Sequence, residues 1–257
     1  MALYGHTAHR LGHGPAVLFP ADPVDAMAEA VLSYDPAAGV NSDRFEFRNG
    51  VRLHGPVEVT PDLARQAGLP AGLAAGYYAD IAEGTGRSRP DSLKWQDAGR
   101  LIRGLAARLG GTVHDERPPM DLRLRASVYS GQEVPAGQVI GVLQRCTTTG
   151  ELVLEEDSGV PGAYYLLTEQ EPVFFVAYWP PRLSRSRLAR PPPALGGLGD
   201  REPCRWDLRT RFPVATAARE TCLRVGEAAL ALARHAEGVV IDTYGFPVGR
   251  PEDLLPR

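Results

Sequence analysis

Four aspartates occur as two pairs whose members lie 127 residues apart, Asp80 with Asp207 and Asp115 with Asp242. If the chain is a duplicated unit, the members of a pair could meet across a shared cleft. Close carboxylates raise one pKa and create an acid/base pair. The alternative is structural: Asp115 and Asp242 accept hydrogen bonds from the turn after a strand, and Asp80 and Asp207 point to solvent.

Two groups of arginines could bind an anion. Arg87 and Arg89 follow Gly84 in a segment that precedes a predicted helix, so backbone N–H groups and guanidinium groups could hold an anion together. The segment lacks the third glycine of a dinucleotide fingerprint. The second group could contact phosphates or an acidic partner, and consists of Arg182, Arg185, Arg187 and Arg190. The alternatives are a solvated connection for the first group and a solvated insertion for the second.

Three histidines near the amino terminus, His6, His9 and His13, have spacings that would converge on a metal ion from one helix face. The glycines at positions 5, 12 and 14 argue against that helix. We therefore expect a mobile or strand-forming terminus and no metal site. The sequence also contains no Gly-x-Ser-x-Gly motif and no Cys-x-x-Cys pair, and we predict no cofactor.

Two segments have the pattern of a helix, a glycine and a short strand. The first helix spans 92–109 and is followed by Gly110, Gly111 and a strand over 112–115. The second begins after Pro213 and ends at Gly238, and a strand over 239–242 follows. Superposing them aligns Gly111 with Gly238 at the same offset of 127 residues, which favours a duplicated unit.

The elements upstream of each helix also agree. Strand patterns occupy 16–19, 44–54 and 77–81 in the first half, with a turn at Asn49 and Gly50, and 122–129, 152–156, 163–167, 173–179 and 205–208 in the second. Short helices are expected over 22–34 and 136–145. The sequence therefore predicts an α+β fold of two tandem ferredoxin-like (split β-α-β) halves, residues 1–119 and 120–257. Residues 180–203, rich in proline and arginine, should form an exposed insertion.

Composition narrows the function classes. The chain has 257 residues and a formal net charge of −3, so no global field draws it to nucleic acid or to an anionic membrane. The absence of a long apolar run predicts no membrane span. Three cysteines without a pairing pattern, and a start without the pattern of a secretion signal, predict a cytoplasmic protein with reduced thiols.

The leading hypothesis is a non-catalytic protein-binding or adaptor protein that presents a sheet face or edge and the arginine-rich loop to another protein. It rests on the absence of any specific catalytic motif. One alternative is an enzyme that acts on an anionic small molecule in the cleft between the halves. A further alternative is a phosphate-backbone binder, although the charge makes nucleic acid a poor partner. The oligomeric state stays open.

Overall fold

The computed structural model describes residues 2–81, 93–116, 122–146, 152–157, 159, 161–167, 175–181, 192–197 and 203–255. The residue contacts divide the chain into two compact units, one within Met1–Met120 and one within Asp121–Pro256. Each unit builds a six-stranded sheet in which every pair of neighbouring strands is antiparallel. The chain is therefore an α+β protein with two sheets.

The first unit begins with a helix and alternates helices with strands. In chain order it contains α1 (Ala2–His13), β1 (Ala16–Phe19), α2 (Val24–Tyr34), β2 (Gly39–Val40), β3 (Arg44–Glu46), β4 (Val51–Glu58), α3 (Pro61–Ala67), β5 (Ala75–Ile81), α4 (Leu93–Leu109) and β6 (Thr112–His114). The strand order in the sheet is β2-β3-β4-β5-β1-β6. The crossover that carries α4 thus leads from β5 past β1 to the sheet edge.

The second unit begins with a strand. It contains β7 (Arg123–Ser130), α5 (Ala136–Cys146), β8 (Val153–Glu156), β9 (Tyr164–Leu167), β10 (Phe175–Trp179), β11 (Cys204–Pro213), α6 (Arg219–His235) and β12 (Val239–Asp242), with 3₁₀ helices at Pro193–Gly197, Val214–Thr216 and Pro251–Leu254. Its strand order is β12-β7-β11-β10-β9-β8. Taken from the β6 and β12 edges, the two sheets have the same order of corresponding strands.

The strand registers show where the two sheets correspond residue by residue. Val17 pairs with Val113 on one side, and Val128 pairs with Val240, so these positions keep the offset of 127 between the edge strands. On the other side of the same strands the offset changes, because Ala16 pairs with Tyr78 and Ser127 pairs with Asp207. The ladder therefore equates Asp207 with Tyr78 and not with Asp80.

The amino-terminal segment is a helix, which corrects the expectation that its glycines would prevent one. Helix α1 packs on α3, and the buried Leu11 contributes to a small core with Leu18 and Leu63. Gly12 permits this packing, because a Cβ there would lie 2.6 Å from the carbonyl oxygen of Ala67. Tertiary contact thus outweighs the low helix propensity of glycine.

Both faces of the first sheet are covered. Ala16 and Leu18 of β1 point toward α1 and α3. Val17 and Phe19, which alternate with them, are also buried and face the opposite side. Helix α4 packs on β5, β1 and β4 and contacts α2.

The second sheet has one face covered by helices. Helices α5 and α6 bury the face that carries Val128, Trp206 and Leu208. The opposite face carries alternate residues of the two central strands, Arg125, Ser127 and Tyr129 of β7 and Arg205, Asp207 and Arg209 of β11. We call these six residues the arginine face. Neither described α-helix of this unit lies on it.

Part of the 180–203 segment packs against this face. The 3₁₀ helix Pro193–Gly197 places the buried Leu195 against Tyr129 and Ile241. The expectation of a wholly exposed insertion is therefore wrong for this helix, because Leu195 supplies an apolar side chain that the proline-rich composition obscures. The remaining residues of the segment lie largely outside the described ones.

Replacement of Gly238 by alanine should destabilise the second unit. A Cβ at Gly238 would lie 2.5 Å from the carbonyl oxygen of Tyr129, and a backbone atom cannot move aside as a flexible side chain can. We expect Gly238→Ala to lower the free energy of unfolding by about 1–3 kcal/mol, measured by urea titration. Gly137→Ala is the control, because no heavy atom lies within 4 Å of its added Cβ. Equal unfolding midpoints for both variants would contradict the close approach.

Candidate functional site

The arginine face is built from three consecutive cross-strand pairs of the central strands. Arg205 lies opposite Tyr129, Asp207 opposite Ser127, and Arg209 opposite Arg125. Directly opposed side chains in an antiparallel pair lie close enough to interact. The strand period of two brings the residues of each strand to the same face while Trp206 and Leu208 enter the core.

Asp207 lies at the centre of the arginine face and is fully buried. Its Oδ1 accepts hydrogen bonds from Ser127 Oγ and from Arg205 Nε, each at 2.6 Å. Its Oδ2 accepts from Arg209 Nη2 at 2.6 Å. Both carboxylate oxygens are thus bonded, and the burial of the charge is compensated by two guanidinium groups.

The ionisation of this cluster follows from these contacts. Burial alone would raise the pKa of Asp207, but Arg205, Arg209 and Arg125 and the Ser127 hydrogen bond hold it below its usual value. Burial would lower the pKa of Arg205, yet Tyr129 and Asp207 raise it. The Arg205 guanidinium also lies over the Tyr129 ring, 5.5 Å from its centroid. Asp207 and Arg205 therefore form a lasting ion pair.

Arg125 is the cationic side chain that this arrangement leaves without a partner. Among the described residues its guanidinium makes no hydrogen bond or ion pair, and its Nε is buried. Burial lowers the pKa of Arg125, with Asp207 opposing this effect and Arg205 adding to it. Arginine nevertheless stays protonated in proteins. The cluster thus holds three positive charges and one negative charge.

Asp80 has different surroundings. It lies in the first unit with Arg10 Nη2 at 3.7 Å from its Oδ1 and His54 Nε2 at 3.9 Å from its Oδ2, and its side chain is 25 % exposed. Burial lowers the pKa of His54, with Asp80 opposing this shift. His54 also stacks on Tyr78 with ring centroids 4.9 Å apart. Asp80 therefore belongs to a weak polar cluster beneath α1.

Asp115 and Asp242 have local partners in their own units. Arg103 Nη1 lies 3.4 Å from Asp115 Oδ2, so helix α4 supplies a counter-charge. Asp242 Oδ1 accepts hydrogen bonds from the backbone N–H groups of Tyr244 and Phe246 at 2.9 and 2.8 Å. These contacts give each carboxylate a structural role at the end of its strand.

The three histidines lie along α1 and are exposed. His9 and His13 have ring centroids 4.5 Å apart, and His13 Nδ1 lies 2.6 Å from Glu116 Oε1. Within the described part of the chain no group of three or more histidine, cysteine or acidic side chains is arranged to hold a metal ion. Arg87, Arg89, Arg182, Arg185, Arg187 and Arg190 lie outside the described residues.

Sequence reasoning missed Arg125, Arg205 and Arg209. The available signal was the alternation from Cys204 to Pro213, where charged residues separate the apolar Trp206 and Leu208. That pattern indicates a strand with one charged face. It does not reveal that β7 lies alongside with a further arginine.

Comparison with known proteins gives no relative for this chain. No protein-family model matches it, and neither a curated protein nor a solved structure matches it. None of the described helices is long and apolar enough to span a membrane. Functional interpretation therefore depends on the geometry of the arginine face.

Neutralising Asp207 should be costly. Asp207→Asn removes the charge that offsets Arg205 and Arg209, and loss of one partner from a buried ion pair costs about 3–5 kcal/mol of unfolding free energy. Asp80→Asn is the matched control, and we expect less than about 1 kcal/mol because that carboxylate is partly exposed. Urea titrations measure both. Similar losses in the two variants would show that Asp207 is not the organising charge.

The contribution of Asp207 should depend on pH. Its pKa is lowered in the folded state, so the unfolded state binds more protons between the folded and unfolded pKa values. The stabilisation is complete above the unfolded value of about 4 and is lost as pH falls through the folded value. The stability gap between the native chain and Asp207→Asn, measured by urea titration, should shrink below about pH 4. A constant gap down to about pH 2 would contradict the lowered pKa.

Proposed function

We propose that this chain is a non-catalytic binding protein and that its two units are tandem copies of a ferredoxin-like, split β-α-β plan. The strand order supports the plan. In each sheet the four strands β6-β1-β5-β4 or β12-β7-β11-β10 are connected through α2 and α4, or α5 and α6, in the sequence β-α-β-β-α-β. Two further strands extend each sheet beyond β4 or β10.

The partner that we propose is another protein with an anionic surface, bound on the arginine face of the second unit. The observation that carries the proposal is the excess of positive charge on a sheet face that α5 and α6 leave uncovered. In the first unit, helices α1 and α3 occupy the corresponding face. Charge complementarity directs the choice of partner and speeds its association.

Aromatic side chains adjoin the charges and suit a protein interface. Phe175 lies opposite Arg209, and Trp179 lies opposite Arg205, so both share the arginine face. Tyr165 stacks on Phe175 with centroids 5.1 Å apart, and all three aromatic residues are partly exposed. Tyrosine, tryptophan and arginine are the residues that contribute most at protein interfaces.

The chemistry of Asp207 favours binding over acid/base catalysis. A general base must accept a proton near neutral pH. Asp207 has a lowered pKa and both of its oxygens already accept hydrogen bonds. It therefore serves to hold the arginines in position.

We also propose a cytoplasmic location. Cys146, Cys204 and Cys222 are all free thiols, and Cys204 and Cys222 are buried. Unpaired thiols are typical of the reducing cytoplasm.

A site-specific crosslinker tests the binding face. A photoreactive residue at Leu167, which lies on this face through its pairing with Phe175, should give a discrete crosslinked protein in cells. The same residue at Leu32 on α2, an exposed leucine of the other unit, is the matched control and should not. Adding Arg209→Glu should abolish the Leu167 product, because it reverses a charge that the partner's anionic surface meets.

The result is decisive in either direction. A Leu167 product that is sensitive to Arg209→Glu and weakened by salt supports a charged protein interface. A product that persists in Arg209→Glu, or equal products from Leu167 and Leu32, overturns it, as does the lack of any product at Leu167.

A further inference from the structure

Two arginines of the arginine face oppose each other without an intervening acid. Arg125 and Arg209 form a direct cross-strand pair on the central strands. Like charges placed directly opposite each other destabilise a sheet. Asp207, the nearest carboxylate, is one pair further along the ladder and bonds to Arg209 and Arg205. The pair therefore lacks a counter-charge of its own.

Unused hydrogen-bond donors lie at the same place. The Nε atoms of Arg125 and Arg209 are both buried and have no acceptor among the described residues. Buried polar groups in proteins are normally satisfied, and an exception requires an explanation such as an absent ion. The side chain of Arg209 is 39 % exposed, so a ligand can reach this pair from solvent.

We propose that Arg125 and Arg209 form the site for a dianionic phosphate group, which the protein partner presents as a phosphorylated side chain. This assignment rests on the proposed function for the identity of the carrier. Three arginines and Asp207 leave two positive charges, and a phosphorylated side chain carries nearly two negative charges at neutral pH. The charges thus balance.

The geometry favours phosphate over a carboxylate. A guanidinium group has five N–H donors in a fixed fork that matches phosphate and carboxylate oxygens. Arg209 uses one of these donors on Asp207, and Arg125 uses none. A single carboxylate has two oxygens and occupies one fork. The three oxygens of a phosphate group can accept from two forks at once.

The test is a titration of the full chain with O-phosphoserine, followed through the arginine Nε–H signals in nitrogen-15 NMR spectra. We expect saturable shifts of the Arg125 and Arg209 signals, assigned from the Arg125→Lys and Arg209→Lys variants. Serine should produce none. Acetate should bind about tenfold more weakly or worse, because it lacks one negative charge and one acceptor oxygen.

Variants and pH provide the controls. Arg125→Gln should weaken O-phosphoserine binding about tenfold or more. It should not impair folding, because the guanidinium has no partner to lose. Arg224→Gln on α6, where the arginine pairs with Glu220, should leave binding unchanged. Binding should weaken severalfold between about pH 7.5 and about pH 5, as the phosphate takes up a proton near pH 6.

Each outcome decides the proposal. Absence of saturable shifts, equal affinity for acetate, or unchanged binding in Arg125→Gln overturns the phosphate site. Inorganic phosphate in a parallel titration distinguishes the source: binding stronger than that of O-phosphoserine would favour a free anion and overturn the phosphorylated side chain. Failure here leaves the Leu167 crosslink intact. Loss of the crosslink with retained O-phosphoserine binding would instead reject the protein partner.

Discussion

The buried carboxylate of Asp207 organises the charged face of the second sheet. Arginine side chains can lie at the centre of a sheet only if an opposite charge offsets the loss of water, because an unpaired buried charge is very costly. Asp207 supplies that charge to Arg205 and Arg209 through hydrogen bonds of 2.6 Å. It leaves Arg125 uncompensated, which makes the face a binding surface for anions and not merely a neutral network.

The same strand that carries this cluster also carries the core. Trp206 and Leu208 alternate with the charged residues of β11 and pack beneath α5 and α6. A shift of register by one residue would exchange the charged and apolar sets, so the core fixes the charges on the outer face. The packing of α5 and α6 thus determines the position of a functional surface that neither helix touches.

The two units show how one plan supports two different surfaces. Their strands follow the same order, yet α1 and α3 cover in the first unit the face that carries arginines in the second. The residue that corresponds to Asp207 is Tyr78, which stacks on His54. The two faces have therefore diverged in chemistry within a common frame, as expected when function resides in sites and not in folds.

The sequence alone determined most of the elements, because hydrophobic periodicity and turn residues act over short distances. The helices at 93–109 and 219–235, the hairpin at Asn49 and Gly50, and the α+β class all followed from such local patterns. Helix α1 did not, since its glycines are favourable only against α3. The arginine face did not either: Arg125 and Arg209 are distant in sequence, and only the register of β7 on β11 makes them neighbours. Long-range pairing is a property of the packed sheet, and no local pattern records it.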